Sequence, residues 1–326
     1  MEYIRQNIED RIRPILDRAG IYYRIFSRVK SKPSIEKKLS HKENEYRQKG
    51  KKMQDIIGIR IVFYFQEDVE ICHERMKKMD GYDSRNESNS SLELQGLSQI
   101  IESWDEADSD NKGMVKKLLP FHDKVFMPER LNLVMRMTPE EQMFFNTAIQ
   151  EYGKQSELID ATYEIQLRTV LSEGWHEVEH DLRYKTSNEK WWNFCEAESR
   201  MLNGIYASLE TNERALSQMI QELAYKNYKH RSWDAMIRFH FRIRMEEKKL
   251  PDTLGNILDK DKTLAKKILH VKKQELTTWL WEIPYKLALT PELILFLLNR
   301  KCLNCPSIFE AENDTVKMVL GDYGQN

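Results

Sequence analysis

Apolar and polar residues alternate most strictly in the stretch YEIQLRT, residues 163–169. The apolar positions are Tyr163, Ile165 and Leu167, and the polar positions between them are Glu164, Gln166 and Arg168. Because successive side chains of a strand point to opposite faces of its sheet, this pattern predicts a half-buried strand with a polar row on one face. Thr169 then predicts the N-cap of a helix in which Trp175 and Val178 lie at helical spacing.

Two further strands are predicted upstream. Residues 55–65, DIIGIRIVFYF, form an almost continuous β-branched and aromatic run, which is typical of a central strand covered on both faces. Asp55 at its start and Arg60 inside it break this pattern, and a charge there is costly unless it meets a ligand, a metal or a partner. Residues 131–136, LNLVMR, alternate and predict the other strand.

Helical spacing of apolar residues predicts four helices in the same half of the chain. Residues 3–26 form the first, with Pro14 and Gly20 dividing or kinking it, and Ser34 begins the second. The other two are residues 66–79 and a helix that Thr138 caps and Gly153 ends.

After about residue 187, helical periodicity dominates and strand signals are few. The chain is therefore predicted to divide into a domain of residues 1–187 and an all-helical module of residues 188–326. Residues 83–113, acidic and rich in Ser and Asn, are expected to form a flexible insertion. The stretch MIRFHFRIRM, residues 236–245, alternates like a strand but is interpreted as a helix because of its surroundings.

Composition narrows the class of protein. Of 326 residues, 40% are apolar and 32% are charged, and no run of 18 apolar residues could span a membrane. The N-terminus lacks the apolar core of a signal peptide, and four cysteines fit a reducing compartment, so a cytoplasmic protein is expected. The net charge of -1 argues against general coating of nucleic acid.

Positive charge is nevertheless concentrated in residues 24–52, which contain 11 Lys or Arg and 3 Glu. Arg28 and Lys30 precede the helix that begins at Ser34, and Lys38 lies on it. Several cations near a helix N-terminus can hold a polyphosphate, because guanidinium, ammonium and free amide groups all favour dense negative charge. The alternative is an ordinary solvated basic helix.

Four blocks in this order resemble the synthetase domain of the RelA/SpoT alarmone synthetases, over about residues 20–186. They are RVKSKPSIEKKL, MQDIIGIRIVF, YEIQLRT and W-x-x-x-EH-x-x-x-YK, the last one beginning at Trp175. The resemblance implies an α+β fold, a mixed β-sheet flanked by helices as in nucleotidyltransferases. It also implies a reaction, transfer of the β,γ-pyrophosphate of ATP to the 3′-hydroxyl of GDP or GTP with release of AMP.

The resemblance further implies roles for individual residues. Asp55 and Glu164 would hold Mg²⁺, and Glu164 would act as the base toward the attacking hydroxyl, with Gln166 beside it. Residues expected to bind ATP are Arg28, Lys30, Lys38, Arg60, Arg168, His180, Tyr184 and Lys185. Such a set of cations and carboxylates suits phosphoryl transfer, in which neutralisation of the phosphate charge matters more than covalent catalysis.

The acceptor loop departs from the family pattern. Members usually carry Gly-Tyr followed by Ser-Leu-His before a strand, and the tyrosine stacks on guanine; here the chain reads MPERLNLVMRM. Arg130 and Asn132 are the acceptor candidates in its place. The acceptor is therefore a guanosine nucleotide held by other groups, an adenosine nucleotide, or the 3′ end of tRNA as in toxic members of the family.

Two expectations concern the whole chain. The segment before the synthetase blocks is too short for the hydrolase domain of long members, so the protein is expected to make product without destroying it. The helical module could sense a ligand, restrain the active site or form a homo-oligomer. A non-catalytic, nucleotide-binding regulatory protein remains the alternative to an enzyme.

Overall fold

The computed structural model describes residues 1–49, 52–84, 131–179, 196–283 and 287–321. They belong to two compact units. The first comprises Met1–Glu9 and Arg24–Glu213, and the second comprises Asp10–Tyr23 and Arg214–Asn326. The predicted boundary at residue 187 and most of the predicted acidic insertion lie outside the described residues, and both stay predictions.

A mixed four-stranded sheet is the centre of the first unit. Its strands are β1 (Tyr23–Val29), β2 (Ile57–Phe63), β3 (Leu131–Arg136) and β4 (Thr162–Thr169). The order across the sheet is β1-β2-β4-β3, with β2 parallel and β3 antiparallel to β4. The predicted fold class, a mixed sheet flanked by helices, is thus confirmed.

Burial explains why these segments are strands. On β2, Ile57, Ile59 and Ile61 are fully buried, as expected for a central strand. On β4, the buried residues Tyr163 and Ile165 alternate with half-buried polar residues. The alternation read from the sequence is therefore the alternation between the two faces of the sheet.

The helices before and between the strands are α1 (Glu2–Arg18), α2 (Lys32–Lys49), α3 (Gln66–Lys77), α4 (Pro139–Ile149) and α5 (Val170–Glu179). Helices α3 and α5 both pack against β2 and β4. A 3₁₀ segment, Gln150–Leu158, continues α4. Helices α3 and α5 therefore flank the sheet, as predicted.

The first helix ends at Arg18, so the predicted extent to residue 26 is wrong, whereas the predicted break at Gly20 is confirmed. Gly20 adopts a left-handed conformation with φ +66°, and its N–H bonds Asp17 O while Ile21 N bonds Leu16 O. This pair of hydrogen bonds is the usual way in which a glycine ends a helix. The chain after it forms β1, whose side chains alternate only between half-buried and exposed, so its hydrophobic signal was weak.

Side-chain caps fix the starts of two helices. Thr138 Oγ1 accepts from Glu141 N at 3.3 Å, and Glu141 Oε2 accepts from Thr138 N at 2.9 Å, which completes the predicted capping box of α4. Thr169 caps α5 in the same reciprocal way with Ser172, through bonds of 2.9 and 3.1 Å. The second cap makes β4 and α5 one continuous strand-to-helix unit.

The later helices are α6 (Glu196–Lys229), α7 (Trp233–Phe241), α8 (Asp252–Lys260), α9 (Lys262–Ile268), α10 (Lys273–Glu282), α11 (Pro291–Leu298), α12 (Pro306–Glu310) and α13 (Asp314–Leu320). A π-helical turn, Asn299–Leu303, follows α11. In α11, all residues from Leu293 to Leu298 are buried. The expected helical character of this part of the chain is confirmed for the described residues.

The ambiguous stretch at residues 236–245 is helical only in part. Helix α7 ends at Phe241, and Arg242 takes a left-handed conformation with φ +50°. Beyond it, Ile243 and Met245 are buried while Arg244 is exposed, so the period-two pattern reflects an extended segment there. The helix prediction is correct up to Phe241 and wrong beyond it.

None of the helices in the described ranges combines the length and the apolar character that crossing a membrane requires.

Gly81 provides a test of the sheet edge. It has φ +94°, and an added Cβ would lie 2.9 Å from the carbonyl oxygen of Arg136, whose N–H bonds Gly81 O at 2.7 Å. Gly81→Ala is therefore expected to lower the free energy of unfolding by roughly 1–3 kcal/mol, measured by urea denaturation. Gly174→Ala is the matched control, since its added Cβ meets nothing within 4 Å inside α5. It should be neutral or stabilise by about 0.5–1 kcal/mol, and equal losses in both variants would contradict the account.

Candidate active site

A polar row crosses three strands of the sheet. In the register of the sheet, Arg60 on β2 and Asn132 on β3 both lie beside Gln166 on β4. Arg60 Nε donates to Gln166 Oε1 at 3.2 Å, and Gln166 Nε2 donates to Glu164 Oε1 at 3.1 Å. The amide of Gln166 therefore connects the guanidinium to the carboxylate and fixes the orientation of both.

The residue beside Glu164 on β2 is a glycine, which leaves space next to the carboxylate. Gly58 on β2 is the register partner of Glu164, and Val134 on β3 is the partner on the other side. A Cβ added to Gly58 would meet nothing within 4 Å. The carboxylate of Glu164 thus faces room that a ligand can enter from the side of β2.

Asp55 is held by two lysines from different elements. Its Oδ2 accepts from Lys30 Nζ at 2.7 Å and from Lys38 Nζ at 2.6 Å. Lys30 directly follows β1 and its backbone N–H bonds Ile56 O at 2.8 Å, while Lys38 lies on α2. The cations predicted upstream and the acid just before β2 therefore meet, and we call Lys30, Lys38 and Asp55 the Asp55 cluster.

The electrostatics of the Asp55 cluster follow from partial burial and close pairing. Burial raises the pKa of Asp55, but the hydrogen bonds from Lys30 and Lys38 outweigh it and hold the pKa below its usual value. For Lys38, burial lowers the pKa, yet the bond to Asp55, with a smaller contribution from Glu164, gives a net rise. For Lys30, burial dominates and the pKa is lowered, with Lys38 and Arg28 acting in the same direction.

Those effects also locate two predicted residues. Because the charge of Glu164 raises the pKa of Lys38, its carboxylate lies within electrostatic reach of the Asp55 cluster. The charge of Arg28 similarly reaches Lys30. Of the predicted residues, Lys30, Lys38 and Asp55 are thus in direct contact, and Arg28 and Glu164 lie within electrostatic reach of them.

Arg60 has carboxylate partners that the sequence analysis missed. Its Nη1 bonds Glu173 and Glu177 of α5, the latter at 2.5 Å. Burial lowers the pKa of Arg60, but both carboxylates outweigh burial and raise it. The signal that could have revealed them is their spacing: two acids four residues apart share one face of the helix that follows β4.

The remaining predicted residues lie elsewhere in the structure or fall outside the ranges of the chain that it describes. Arg168 is 7% exposed and donates to Leu167 O at 3.4 Å. It lies near Tyr206, whose pKa is raised by burial and by Glu210 and Glu213 while the Arg168 charge opposes the rise. Predicted residues outside the described part of the chain are Arg130, His180, Tyr184 and Lys185.

The carboxylates present suit a magnesium ion. Asp55 Oδ1 is buried and has no hydrogen-bond partner within the described ranges. Mg²⁺ is usually held by one or two carboxylates, with water and substrate phosphates completing its coordination. The described ranges contain no group of three or more His, Cys, Asp or Glu side chains that could hold a metal on its own. The unpartnered Oδ1 of Asp55 is therefore an atom that fits a metal ion whose coordination is completed by water and substrate phosphates.

Comparison with known proteins establishes the family. The family model described as "Region found in RelA / SpoT proteins" matches residues 27–189, half of the chain. The chain therefore belongs to the RelA/SpoT family, and the predicted resemblance is confirmed. No match was found among curated proteins.

Several solved structures are similar in fold. Small alarmone synthetase 1 from Bacillus subtilis is 18% identical, with a TM-score of 0.42, and the match covers 68% of this chain and 94% of that chain. The same protein bound to its product pppGpp matches at 18% identity and a TM-score of 0.41, over 68% and 93% of the two chains. A GTP pyrophosphokinase family protein from Streptococcus pneumoniae matches at 18% identity and a TM-score of 0.41, over 68% and 90%.

Replacing Asp55 by Asn is expected to destabilise the protein at neutral pH by roughly 1.5–3 kcal/mol, the range for hydrogen bonds to charged groups. Because the folded-state pKa of Asp55 is depressed, its stabilisation is complete above about pH 4 and is lost as pH falls through the lower folded value. Urea denaturation of both proteins between pH 7 and pH 3 checks this.

The difference between wild type and Asp55→Asn should be largest at pH 7 and shrink on acidification. Glu151→Gln is the control, because Glu151 pairs with Lys32 at the exposed surface and should change stability little. A difference for Asp55→Asn that stays constant over the pH range would contradict the assignment of its stabilising charge.

Proposed function

We propose that the protein is a nucleotide pyrophosphokinase that transfers the β,γ-pyrophosphate of ATP to the 3′-hydroxyl of GDP or GTP and releases AMP. The observation that carries the proposal is the Asp55 cluster within electrostatic reach of Glu164, beside the open position at Gly58. The proposal is supported by this grouping of two lysines, an acid suited to a metal ion and a second carboxylate suited to act as a base, in a chain of the RelA/SpoT family.

The cations bind and neutralise the donor. The triphosphate of ATP carries several negative oxygens, and an attacking oxygen approaches phosphorus only after that charge is compensated. Lys30 and Lys38 each spend one hydrogen bond on Asp55 and keep further N–H donors for phosphate. Arg28, whose charge reaches Lys30, extends this positive region.

Glu164 takes the proton of the attacking hydroxyl. In the reaction, a bond forms between the 3′-oxygen and the β-phosphorus, the bond from that phosphorus to the oxygen it shares with the α-phosphate breaks, and AMP leaves with this oxygen. Gln166 occupies Glu164 Oε1, so Oε2 is the oxygen for the proton. Gln166 and Arg60 are positioning residues for this base.

Asp55 and Glu164 would hold Mg²⁺. When bound, the metal ion supplies charge neutralisation of the transferred phosphates. The unpartnered Oδ1 of Asp55 is the protein atom that suits this role best.

The acceptor binds near the polar row. Asn132 lies beside Gln166, and its Oδ1 is buried without a hydrogen-bond partner among the described residues, so it can accept a bond from a base or a ribose hydroxyl. An assay with γ-labelled ATP and separate GDP, GTP, ADP and tRNA identifies the acceptor. Label in GDP or GTP supports the proposal, label in ADP or tRNA assigns a different acceptor, and no label with any of them refutes transfer.

Glu164→Gln is expected to lower kcat about 100-fold to 10,000-fold, because a positioned base contributes that much to the rate. Equilibrium dialysis with a non-hydrolysable ATP analogue should show donor binding within about threefold of wild type, since the amide keeps the side chain's shape. Glu151→Gln, the same substitution on the exposed surface, should leave kcat unchanged. A Glu164→Gln enzyme with wild-type kcat would exclude this residue as the base.

Lys30→Met is expected to raise the KM for ATP about 10-fold to 100-fold, as loss of a hydrogen bond to a charged group implies. Lys32→Met is the matched control, because Lys32 Nζ pairs with Glu151 at 2.9 Å and is half exposed. Steady-state kinetics with varied ATP should separate the two variants. Equal effects would mean that general positive charge, rather than the Asp55 cluster, attracts the donor.

A further inference from the structure

The first half of α6 is fastened to α5 by side chains that the proposed reaction does not use. Trp175 Nε1 on α5 donates to Leu202 O on α6 at 3.0 Å. The ring of Trp175 also packs edge-on against Tyr206, with the ring centroids 5.0 Å apart, and both rings are buried. Further along α6, Glu213 accepts a hydrogen bond from Thr169 Oγ1. All of these residues belong to the first unit.

The contact of Glu213 is made at the residue that begins α5. Thr169 is the last residue of β4, and its Oγ1 accepts from Ser172 N at 3.1 Å as the N-cap of α5. A threonine hydroxyl has one proton to donate, and when a carboxylate takes that bond its lone pairs are left to accept. Glu213 therefore fixes the rotation of this hydroxyl and, with it, the cap that joins β4 to α5.

Glu213 does not stabilise the fold at neutral pH. Its side chain is half-buried, and burial raises its pKa; the bond from Thr169 opposes this rise and the charge of Glu210 adds to it. Among the described residues no cation forms an ion pair with it. Because an acid with a raised folded-state pKa loses stability as the pH rises through that value, the ionised carboxylate destabilises the folded state. Stability therefore does not account for an acid at this position.

Helix α5 leads from this cap to the proposed base. The two glutamates of α5 described above bind Arg60, Arg60 Nε donates to Gln166, and Gln166 Nε2 donates to Glu164 Oε1. Side-chain hydrogen bonds and one helix thus connect Glu213 to Glu164. In the described ranges no hydrogen bond or ion pair connects α5 to the Asp55 cluster.

We propose that Glu213 is a positioning residue for Glu164, acting through Thr169 and α5. The inference rests on the reaction proposed above, in which Glu164 takes the proton of the attacking hydroxyl. Glu213 anchors the start of α5, and α5 sets the orientation of the two residues that hold Glu164. Loss of the anchor therefore slows the chemical step and leaves the binding of ATP at the Asp55 cluster unchanged.

Glu213→Leu separates positioning from stability. Steady-state kinetics of the full chain should show kcat lowered about tenfold to a hundredfold, with the KM for ATP within about twofold of wild type. The Tm of this variant should equal or exceed that of wild type, because leucine removes a half-buried charge. Glu213→Gln, whose amide oxygen can still accept from Thr169, should restore kcat to within about threefold of wild type. Glu198→Leu, at an exposed acid of the same helix, is the matched control and should leave kcat unchanged.

Amide hydrogen exchange of α5, measured by mass spectrometry, tests the anchor without any turnover. The α5 amides should exchange at least about threefold faster in Glu213→Leu than in wild type, and at the wild-type rate in Glu213→Gln. If wild type transfers no label, the proposed reaction fails, and the exchange alone decides whether Glu213 anchors α5. Wild-type kcat and unchanged α5 exchange in Glu213→Leu would overturn the positioning role. A loss of kcat that appears only with a lower Tm, or that Glu213→Gln does not restore, would overturn it as well.

Discussion

The parallel pairing of β2 with β4 is the constraint on which the candidate site depends. It aligns Gly58 with Glu164 and Arg60 with Gln166, so that residues more than a hundred positions apart in sequence become neighbours. A register shift of one residue would turn Glu164 and Gln166 into the core and expose Tyr163 and Ile165. Because burial of one face of β4 fixes the register of the strand, it also fixes the position of the polar side chains on the other face.

Two groups of charges at the site contain their own counter-charges. Asp55 balances Lys30 and Lys38, and Glu173 with Glu177 balances Arg60. In the first group the cations exceed the acid, which leaves the surroundings suited to phosphate. In the second group the acids exceed the cation, so Arg60 is held against α5 and is better suited to orienting Gln166 than to binding a nucleotide.

Much of the sheet was predictable because its signal is local. The alternation in β4, the apolar run in β2 and the capping box of α4 each lie within about ten residues, and each predicted the observed element. Strand β1 was missed because neither of its faces is fully buried, so no apolar period marks it. The convergence of Lys30, Lys38 and Asp55 was expected from the family resemblance, whereas the partners of Arg60 depend on where α5 packs, which no local pattern encodes.

The absence of a side chain at Gly58 bears on which residues this position of β2 could hold. A methyl group there would meet no neighbour, so neither packing nor backbone conformation requires glycine at this point of β2. What a larger residue would change is the width of the approach to the Glu164 carboxylate. The size of this one residue therefore sets a steric limit on the molecules that can reach the carboxylate, independently of the stability of the fold.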